Sequence, residues 1–238
     1  MARIDGRAND QLRPLELTPG IHKFAEGSCL VRCGNTVVIC TASVEERTPP
    51  HVPEGEGWVT AEYSMLPRAN RERSRRDISK LKLAPRSAEI QRLIGRALRA
   101  CVDRKKLGER TVTIDCDVLQ GDGGTRTASV TGGYVALSCA LHNLVERGVL
   151  AELPLTTCVA AVSAGLVGDE LLLDLCYEED SAAQVDLNCV MNGEGELIEL
   201  QATGEGRAFT VEEQRTLVDL CARGIREIQA IQRAALGG

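Results

Sequence analysis

A β-strand, a glycine turn and a long helix follow one another between residues 111 and 147. Residues 111–119 alternate in polarity and are rich in β-branched side chains, which predicts a strand. Gly121, Gly123 and Gly124 then interrupt the pattern. The helix is predicted from apolar residues at spacings of three and four, namely Val130, Tyr134, Leu137, Leu141 and Leu144. This order presents unpaired backbone N–H groups at a helix N-terminus, which is a common way to bind an anion.

Arg126 lies in the first turn of this predicted helix. The N-terminus of a helix already carries partial positive charge, so an arginine there is unfavourable unless a negative group faces it. A phosphate is the simplest such group. The glycines are not a Walker loop, because no Gly-Lys-Ser/Thr follows them. The alternative is that the glycines only form a sharp turn and that Arg126 is solvated.

A second arginine, Arg86, follows Pro85 at another predicted helix start. The apolar stripe of that helix consists of Ile90, Leu93, Ile94, Ala97, Leu98 and Cys101. Arg86 precedes Ile90 by four residues, so we expect its side chain to project along the stripe on the buried side. A buried cation needs a partner. That partner is either a protein carboxylate or an anionic ligand, and guanidinium groups suit phosphate.

The composition is that of a globular protein rather than a membrane or secreted one. Hydrophobic residues make up 43% and charged residues 26% of the 238 positions, and no apolar run approaches the ~20 residues of a membrane span. The N-terminal residues lack the apolar segment of a secretion signal. The ten cysteines lie in apolar strand and helix patterns without Cys-x-x-Cys spacing. We therefore expect reduced cysteines, no zinc site and a cytoplasmic protein.

An arginine cluster interrupts this acidic chain of net charge −6. The polar segment 68–77 reads as an exposed loop and contains Arg68, Arg71, Arg73, Arg75 and Arg76. The loop is either a solvated or subunit-contacting surface, or it binds the backbone of a nucleic acid. Aromatic residues are only 3% of the chain, so we expect contacts with phosphates rather than with stacked bases.

The remaining patterns predict an α+β protein with mixed sheets and three main helices. A hairpin is expected within 20–46 and a strand over 58–66. A second unit follows with strands over 156–166, 170–177, 185–191 and 197–201. The last helix begins with a capping box of Thr210 and Glu213. No linker separates the two units, so we expect them to pack as one body.

Three aspartates stand out in the second unit. Asp174 falls within a predicted strand, Asp180 at its end, and Asp186 at the start of the next apolar run. If Asp180 and Asp186 meet across the turn, the pair suits a magnesium ion or the protonation of a leaving oxygen. The alternative is an ordinary acidic loop with one capping aspartate.

Long blocks of this sequence resemble the ribonuclease PH family of bacterial phosphate-dependent exoribonucleases, which trim tRNA 3′ ends. The blocks are residues 57–68, 89–99, 115–129 and 179–183. The resemblance implies a single domain over 1–238, built from two βαβ-type units (1–150 and 151–238) with mixed sheets packed against helices. This is the fold of the second domain of ribosomal protein S5. It also implies a homo-hexameric ring assembled as a trimer of dimers.

The resemblance further assigns roles to individual residues. Orthophosphate, the co-substrate, would be bound by Arg86, Gly124, Thr125 and Arg126. Asp180 and Asp186 would be the catalytic acid and the ligands of Mg²⁺ or Mn²⁺. The RNA, a tRNA precursor, would contact Arg68, Arg71, Arg73, Arg75, Arg76, Arg92 and Arg99. A non-catalytic RNA-binding ring subunit of the same fold is the alternative function.

Overall fold

The computed structural model describes residues 3–76 and 82–237. The first half contains β1 (Leu15–Pro19), β2 (Gly27–Cys33), β3 (Thr36–Glu45), β4 (Trp58–Met65), α1 (Pro85–Arg99), α2 (Arg104–Leu107), β5 (Thr111–Gln120) and α3 (Thr125–Glu146). The second half contains β6 (Val159–Val167), β7 (Glu170–Leu173), α4 (Tyr177–Ala182), β8 (Val185–Asn192), β9 (Leu197–Gly204) and α5 (Val211–Ala235). None of the helices in these residues is long and apolar enough to cross a membrane.

The strands form two sheets, and the α+β class is confirmed. The first sheet has the order β1-β2-β3-β5-β4, in which β4 and β5 are parallel and joined by a crossover through α1. This β4-α1-β5 segment is the βαβ unit of the first half. The second sheet has the order β7-β6-β8-β9, and its neighbouring strands are antiparallel.

Helix α3 lies between the two sheets and contacts β2 and β3 on one side and β6 on the other. The sequence predicts one apolar face for this helix, but 16 of its 22 residues are buried. Small residues allow this close packing. A Cβ on Gly132 would lie 2.2 Å from Val31 Cγ2, and one on Gly27 would lie 2.1 Å from the Ala136 carbonyl oxygen. The helix is therefore a shared core element of both halves.

The sequence pattern predicts a strand over 170–177, and this prediction is wrong for residues 174–177. Strand β7 stops at Leu173 because Asp174 has a left-handed backbone conformation, with φ of 53°. The chain then enters the short helix α4, which the sequence patterns did not predict. Strand β1 was also missed. The hairpin of β2 and β3, strands β4 and β5, and the three long helices lie where the patterns predict them.

The N-terminal segment is attached to the second half by buried ion pairs. Arg13 donates to both carboxylate oxygens of Asp174, at 2.6 Å through Nη2 and 3.1 Å through Nε. Arg3 binds Glu179 of α4 in the same bidentate way, at 2.7 and 2.8 Å. Burial alone would raise the pKa of Asp174, but the charge and hydrogen bonds of Arg13 outweigh burial and lower it. Bidentate pairs between arginine and a carboxylate are stronger than hydrogen bonds between neutral groups.

We expect Asp174→Asn to destabilise the protein strongly, because Arg13 would be left buried without a counter-charge. Breaking a buried pair from one side costs about 3–5 kcal/mol. Since the pKa of Asp174 is lowered in the folded state, its stabilising contribution is present above the pKa of the unfolded chain and is lost as the pH falls below about 4. Asparagine also tolerates the left-handed conformation, so backbone strain is not added.

Urea unfolding at fixed protein concentration, at pH 7 and on acidification, measures this effect. The matched control is Glu45→Gln, which breaks the exposed pair with Arg47 (53% and 80% exposed side chains) and should barely move the midpoint. Equal midpoints for Asp174→Asn and Glu45→Gln at pH 7 would contradict the structural role of the buried pair.

Candidate active site

The glycine turn before α3 is held by side chains from two other segments. Arg13 Nη1 donates to the Asp122 carbonyl oxygen at 2.6 Å, and Thr36 Oγ1 donates to that of Gly123 at 2.7 Å. Gly123 and Gly124 both have positive φ, at 75° and 62°. A Cβ on Gly123 would also lie 2.5 Å from the Leu175 carbonyl oxygen, so only glycine fits against this segment. The first turn of α3 is thereby fixed beside the second half.

A cavity of about 360 Å³ lies at the junction of the two halves. Arg86 of α1 and Arg126 of α3 line it from the first half. Asp180 of α4 and Asp186 of β8 line it from the second half, together with Gln201 and Thr203 of β9. The two predicted arginines and the two predicted aspartates therefore meet in one place. Gly124 and Thr125 lie at the start of the same helix as Arg126.

Arg86 is exposed, so the prediction that it lies on the buried side is wrong. The buried stripe of α1 begins only at Ile90, and the turn before it, including Pro85, lies at the protein surface. Within the described residues, no hydrogen bond or ion pair occupies the Arg86 guanidinium. Its charge faces the cavity instead, where it opposes the rise in the pKa of Asp180. The alternative of a paired protein carboxylate is therefore not observed for Arg86 in the described part of the chain.

Arg126, in contrast, has a protein carboxylate as a partner. Its Nη1 donates to Glu89 Oε1 at 3.2 Å and to Gln201 Oε1 at 2.6 Å. The side chain is 14% exposed. Both bonds use the same nitrogen, and within residues 3–76 and 82–237 no group accepts from Nε or Nη2. Sequence reasoning missed Glu89 and Gln201, because nothing in their local patterns distinguishes them from surface residues of a helix and a strand.

The hydroxyl of Thr125 is buried and shares a 2.8 Å hydrogen bond with the Tyr63 hydroxyl on β4. Burial raises the pKa of Tyr63, while the hydrogen bond to Thr125 and the charges of Arg86 and Arg126 oppose the rise. Tyr63 therefore stays neutral at physiological pH. The helix start also offers its unpaired backbone N–H groups to an anion.

The two aspartates of the cavity interact with each other. Burial raises the pKa of Asp186 to about 6, with the nearby charge of Asp180 as the second cause, while Arg126 and a hydrogen bond from Asn188 oppose the rise. Burial also raises the pKa of Asp180, against the charges of Arg86 and Arg126. Asp180 lies on helix α4 rather than at the end of a strand, which corrects its predicted position. One carboxyl of this pair can hold a proton near neutral pH.

The carboxylate pair also fits a divalent metal ion. The described residues contain no group of three or more histidine, cysteine, aspartate or glutamate side chains arranged to hold a metal. Mg²⁺ does not need such a cage, since it is commonly bound by one or two carboxylates together with water and substrate phosphates. Two repelling, partly buried carboxylates are a suitable donor set for it.

The arginines proposed to contact RNA occupy three different environments. The loop arginines Arg68, Arg71, Arg73, Arg75 and Arg76 are exposed, while Asp77 at the end of the segment lies outside the described residues. Within the loop, Arg71 is ion-paired with Glu178 and lies 5.7 Å from the centre of the Tyr177 ring. Arg92 is exposed on α1.

Arg99, at the far end of α1 from Arg86, is half-buried. It donates to the Val59 carbonyl oxygen at 2.7 Å and lies 4.3 Å from the centre of the Trp58 ring. These contacts engage its guanidinium in packing.

Comparison with known proteins identifies the family. The 3′ exoribonuclease family models match residues 11–141 (domain 1) and 157–221 (domain 2). Among solved structures, the Archaeoglobus fulgidus exosome with RNA bound to the active site aligns with a TM-score of 0.78 and 26% identity, covering 96% of this chain and 91% of that one. Rice (Oryza sativa) Rrp46 aligns with a TM-score of 0.81 at 18% identity, over 98% and 100% of the two chains, and shares the fold. The chain therefore belongs to the 3′ exoribonuclease family.

Within that family, the ribonuclease PH resemblance is confirmed. The Ribonuclease PH of Moorella thermoacetica is 52% identical over 238 residues, which cover 100% of this chain and 95% of the relative. The chain is accordingly an enzyme of the phosphorolytic exoribonuclease type.

We expect Asp186→Asn to stabilise the protein at neutral pH. Folding raises the pKa of Asp186 from 3.8 to about 6. The free energy of unfolding therefore decreases as the pH rises from 3.8 to about 6, and it stays lower by the full amount at higher pH. Asparagine removes this loss of stability, so the melting temperature should rise at pH 7 to 8. The gain should disappear near about pH 4, where the aspartate is protonated in the folded state.

Thermal unfolding in a metal-free buffer containing a chelator tests this, with Asp219→Asn on the exposed side of α5 as the control. The control should leave the melting temperature nearly unchanged. A loss of stability in Asp186→Asn at pH 8 would show that this carboxylate is not under electrostatic strain.

Proposed function

We propose that the cavity lined by Arg86, Arg126, Asp180 and Asp186 is the catalytic centre of a phosphorolytic 3′-to-5′ exoribonuclease acting on tRNA precursors. Orthophosphate replaces water as the nucleophile at the 3′-terminal phosphodiester. The observation that carries this proposal is the meeting of two cations and two carboxylates in one cavity between the two halves. A non-catalytic ring subunit would have no need for this set.

The arginines would offset the repulsion between the two anionic reactants. Both the attacking phosphate and the target phosphodiester are anionic, so they repel each other. Arg86 has no protein partner among the described residues, and Arg126 keeps its Nε and Nη2 groups for a ligand. Together with the N–H groups that follow Gly124 and Thr125, these guanidiniums would bind orthophosphate and fix its line of approach.

The carboxylates act at the other end of the breaking bond. As the phosphate oxygen bonds to the terminal phosphorus, the bond from phosphorus to the 3′ oxygen breaks, and that oxygen needs a proton. A protonated carboxyl of the Asp180 and Asp186 pair can donate it, because burial and mutual repulsion keep a proton available near pH 6. The products are a nucleoside diphosphate and an RNA shortened by one nucleotide, and the reaction is reversible.

Asp180 and Asp186 are also the residues that would hold Mg²⁺ or Mn²⁺. When bound, the ion supplies positive charge that offsets the repulsion between the two carboxylates and the RNA phosphate.

The remaining features support an RNA substrate and a ring assembly. The exposed loop arginines, with Arg92, would contact the RNA backbone at a distance from the cavity. Arg99 is the weakest member of this set because its guanidinium is engaged with Trp58 and Val59. By analogy with the archaeal exosome core, which aligns with a TM-score of 0.75 and 26% identity, the chain would form a ring, here a homo-hexamer of three dimers.

We also propose a single functional domain over 1–238, since the cavity needs both halves. The ten free thiols fit a reducing compartment such as the cytoplasm.

Phosphate dependence is the direct test of the reaction. Shortening of an RNA with a 3′ extension should require orthophosphate and release nucleoside diphosphates. Arg86→Gln should raise the KM for phosphate about tenfold or more, because it removes a charged ligand of the anion, and should alter the KM for RNA far less. Nucleoside monophosphates formed in phosphate-free buffer would contradict phosphorolysis.

The RNA-binding role of the loop is tested separately. The double variant Arg73→Gln with Arg75→Gln should weaken RNA binding and make it less sensitive to salt, since each lost phosphate contact reduces the slope of affinity against salt by about one. The control is Arg215→Gln on α5, an exposed arginine outside the loop. Equal RNA affinity and salt slope for the loop variant and the control would remove the loop from the RNA-binding surface.

A further inference from the structure

We propose that Glu89 and Gln201 are positioning residues that hold Arg126 so that one edge of its guanidinium is reserved for orthophosphate. This inference rests on the proposed function of the cavity. Neither residue needs to touch the phosphate, because both act through Arg126.

The three side chains form a closed triangle of hydrogen bonds. Arg126 Nη1 donates to Glu89 Oε1 at 3.2 Å and to Gln201 Oε1 at 2.6 Å. The third side is the bond from Gln201 Nε2 to Glu89 Oε1, also 3.2 Å. An Nη1 group has two hydrogens, and both are used by this triangle. The edge formed by Nε and Nη2 is the one that binds a phosphate in a bidentate manner, and it is left without a partner in the described part of the chain.

Glutamine is the side chain that the triangle requires at position 201. Its carbonyl oxygen accepts from the arginine while its amide nitrogen donates to the glutamate, so the amide has one favourable orientation. A methionine of similar size would leave an Arg126 hydrogen without its acceptor. A glutamate would place two carboxylates side by side.

The triangle joins three elements that surround the cavity. Glu89 lies on α1, Arg126 on α3 and Gln201 on β9, so the helices of the first half are tied to the sheet of the second. Gln201 is two residues from Thr203 on β9, and Thr203 pairs in register with Asp186 on β8. Side chains two residues apart in a strand share a face of the sheet. The position of the phosphate-binding edge is therefore set relative to Asp186, one of the two carboxyl groups that could protonate the leaving oxygen.

The structure also supplies a matched control. Glu199, on the same strand, binds Arg96 of α1 with two hydrogen bonds at 2.6 and 3.0 Å. This pair links the same two elements, α1 and β9, without involving Arg126. Glu199→Gln therefore tests whether loosening the α1–β9 contact is enough to disturb phosphate binding.

The experiment measures phosphate binding by calorimetry on the full-length protein, and then the KM for phosphate and kcat at saturating RNA. Gln201→Met and Glu89→Ala should each weaken phosphate binding about tenfold and raise the KM for phosphate to match. The KM for RNA should stay within about twofold of the wild type. Glu89→Gln should recover phosphate binding, because a glutamine oxygen can accept both bonds and one negative charge near the anion is gone.

The outcomes separate this inference from the proposed function. Phosphate binding that is unchanged in Gln201→Met, or weakened equally by Glu199→Gln, would overturn the positioning role. Failure of Glu89→Gln to recover binding would do the same. If the wild type binds phosphate but releases no nucleoside diphosphate, the proposed function fails, while Glu89 and Gln201 are still judged on binding. Melting temperatures of all four variants show that each one is folded when it is compared.

Discussion

The ion pair between Arg13 and Asp174 determines where both sides of the cavity lie. Arg13 binds Asp174 through two nitrogens and the carbonyl of Asp122 through a third. One side chain thus fixes the glycine turn that starts α3 and the point where β7 ends. Because Asp174 is held in a left-handed conformation, the chain leaves the sheet there and turns into α4, which carries Asp180. Arg126 and Asp180 are separated by more than fifty residues in sequence, yet both positions depend on this pair.

The cavity combines charges that would be unfavourable separately. Arg126 lies in the positively charged first turn of α3, and Asp180 and Asp186 repel each other in a partly dry environment. Each group reduces the cost of another, since Arg126 opposes the raised pKa of both aspartates. The compensation is incomplete, and what remains suits the proposed reaction. Arg126 keeps a guanidinium edge without a partner in the described part of the chain, and Asp186, with a pKa of about 6, can still carry a proton near neutral pH. Functional sites commonly retain such unfavourable electrostatics.

Local patterns predicted much of the fold. Arg86 and Arg126 were singled out by their charge at helix starts, whereas Asp180 and Asp186 were singled out by their positions along the strands and received roles only from the family resemblance. An arginine at a helix start is unusual in any structure, so Arg86 and Arg126 could be recognised without knowing their neighbours. What could not be predicted depends on contacts between distant segments. Helix α4 replaces the end of a strand because Arg13 and Arg3 bind Asp174 and Glu179 from more than 160 residues away. Gln201 and Glu89 meet Arg126 only through the packing of β9 against α1. Arg86 is exposed because the buried part of its helix begins one turn later.

The burial of α3 has a consequence for how the enzyme can move. Many two-lobed enzymes grip their substrates by closing the lobes around a flexible hinge. Here the 22-residue helix α3 packs against both halves of the protein, and glycines at the contacts allow neighbouring segments to approach closely. The lobes therefore cannot swing apart without opening the interior, which is densely packed and energetically costly to separate. If the cavity is the catalytic centre proposed above, an RNA end would thus enter a cleft that is already formed rather than one that closes around it.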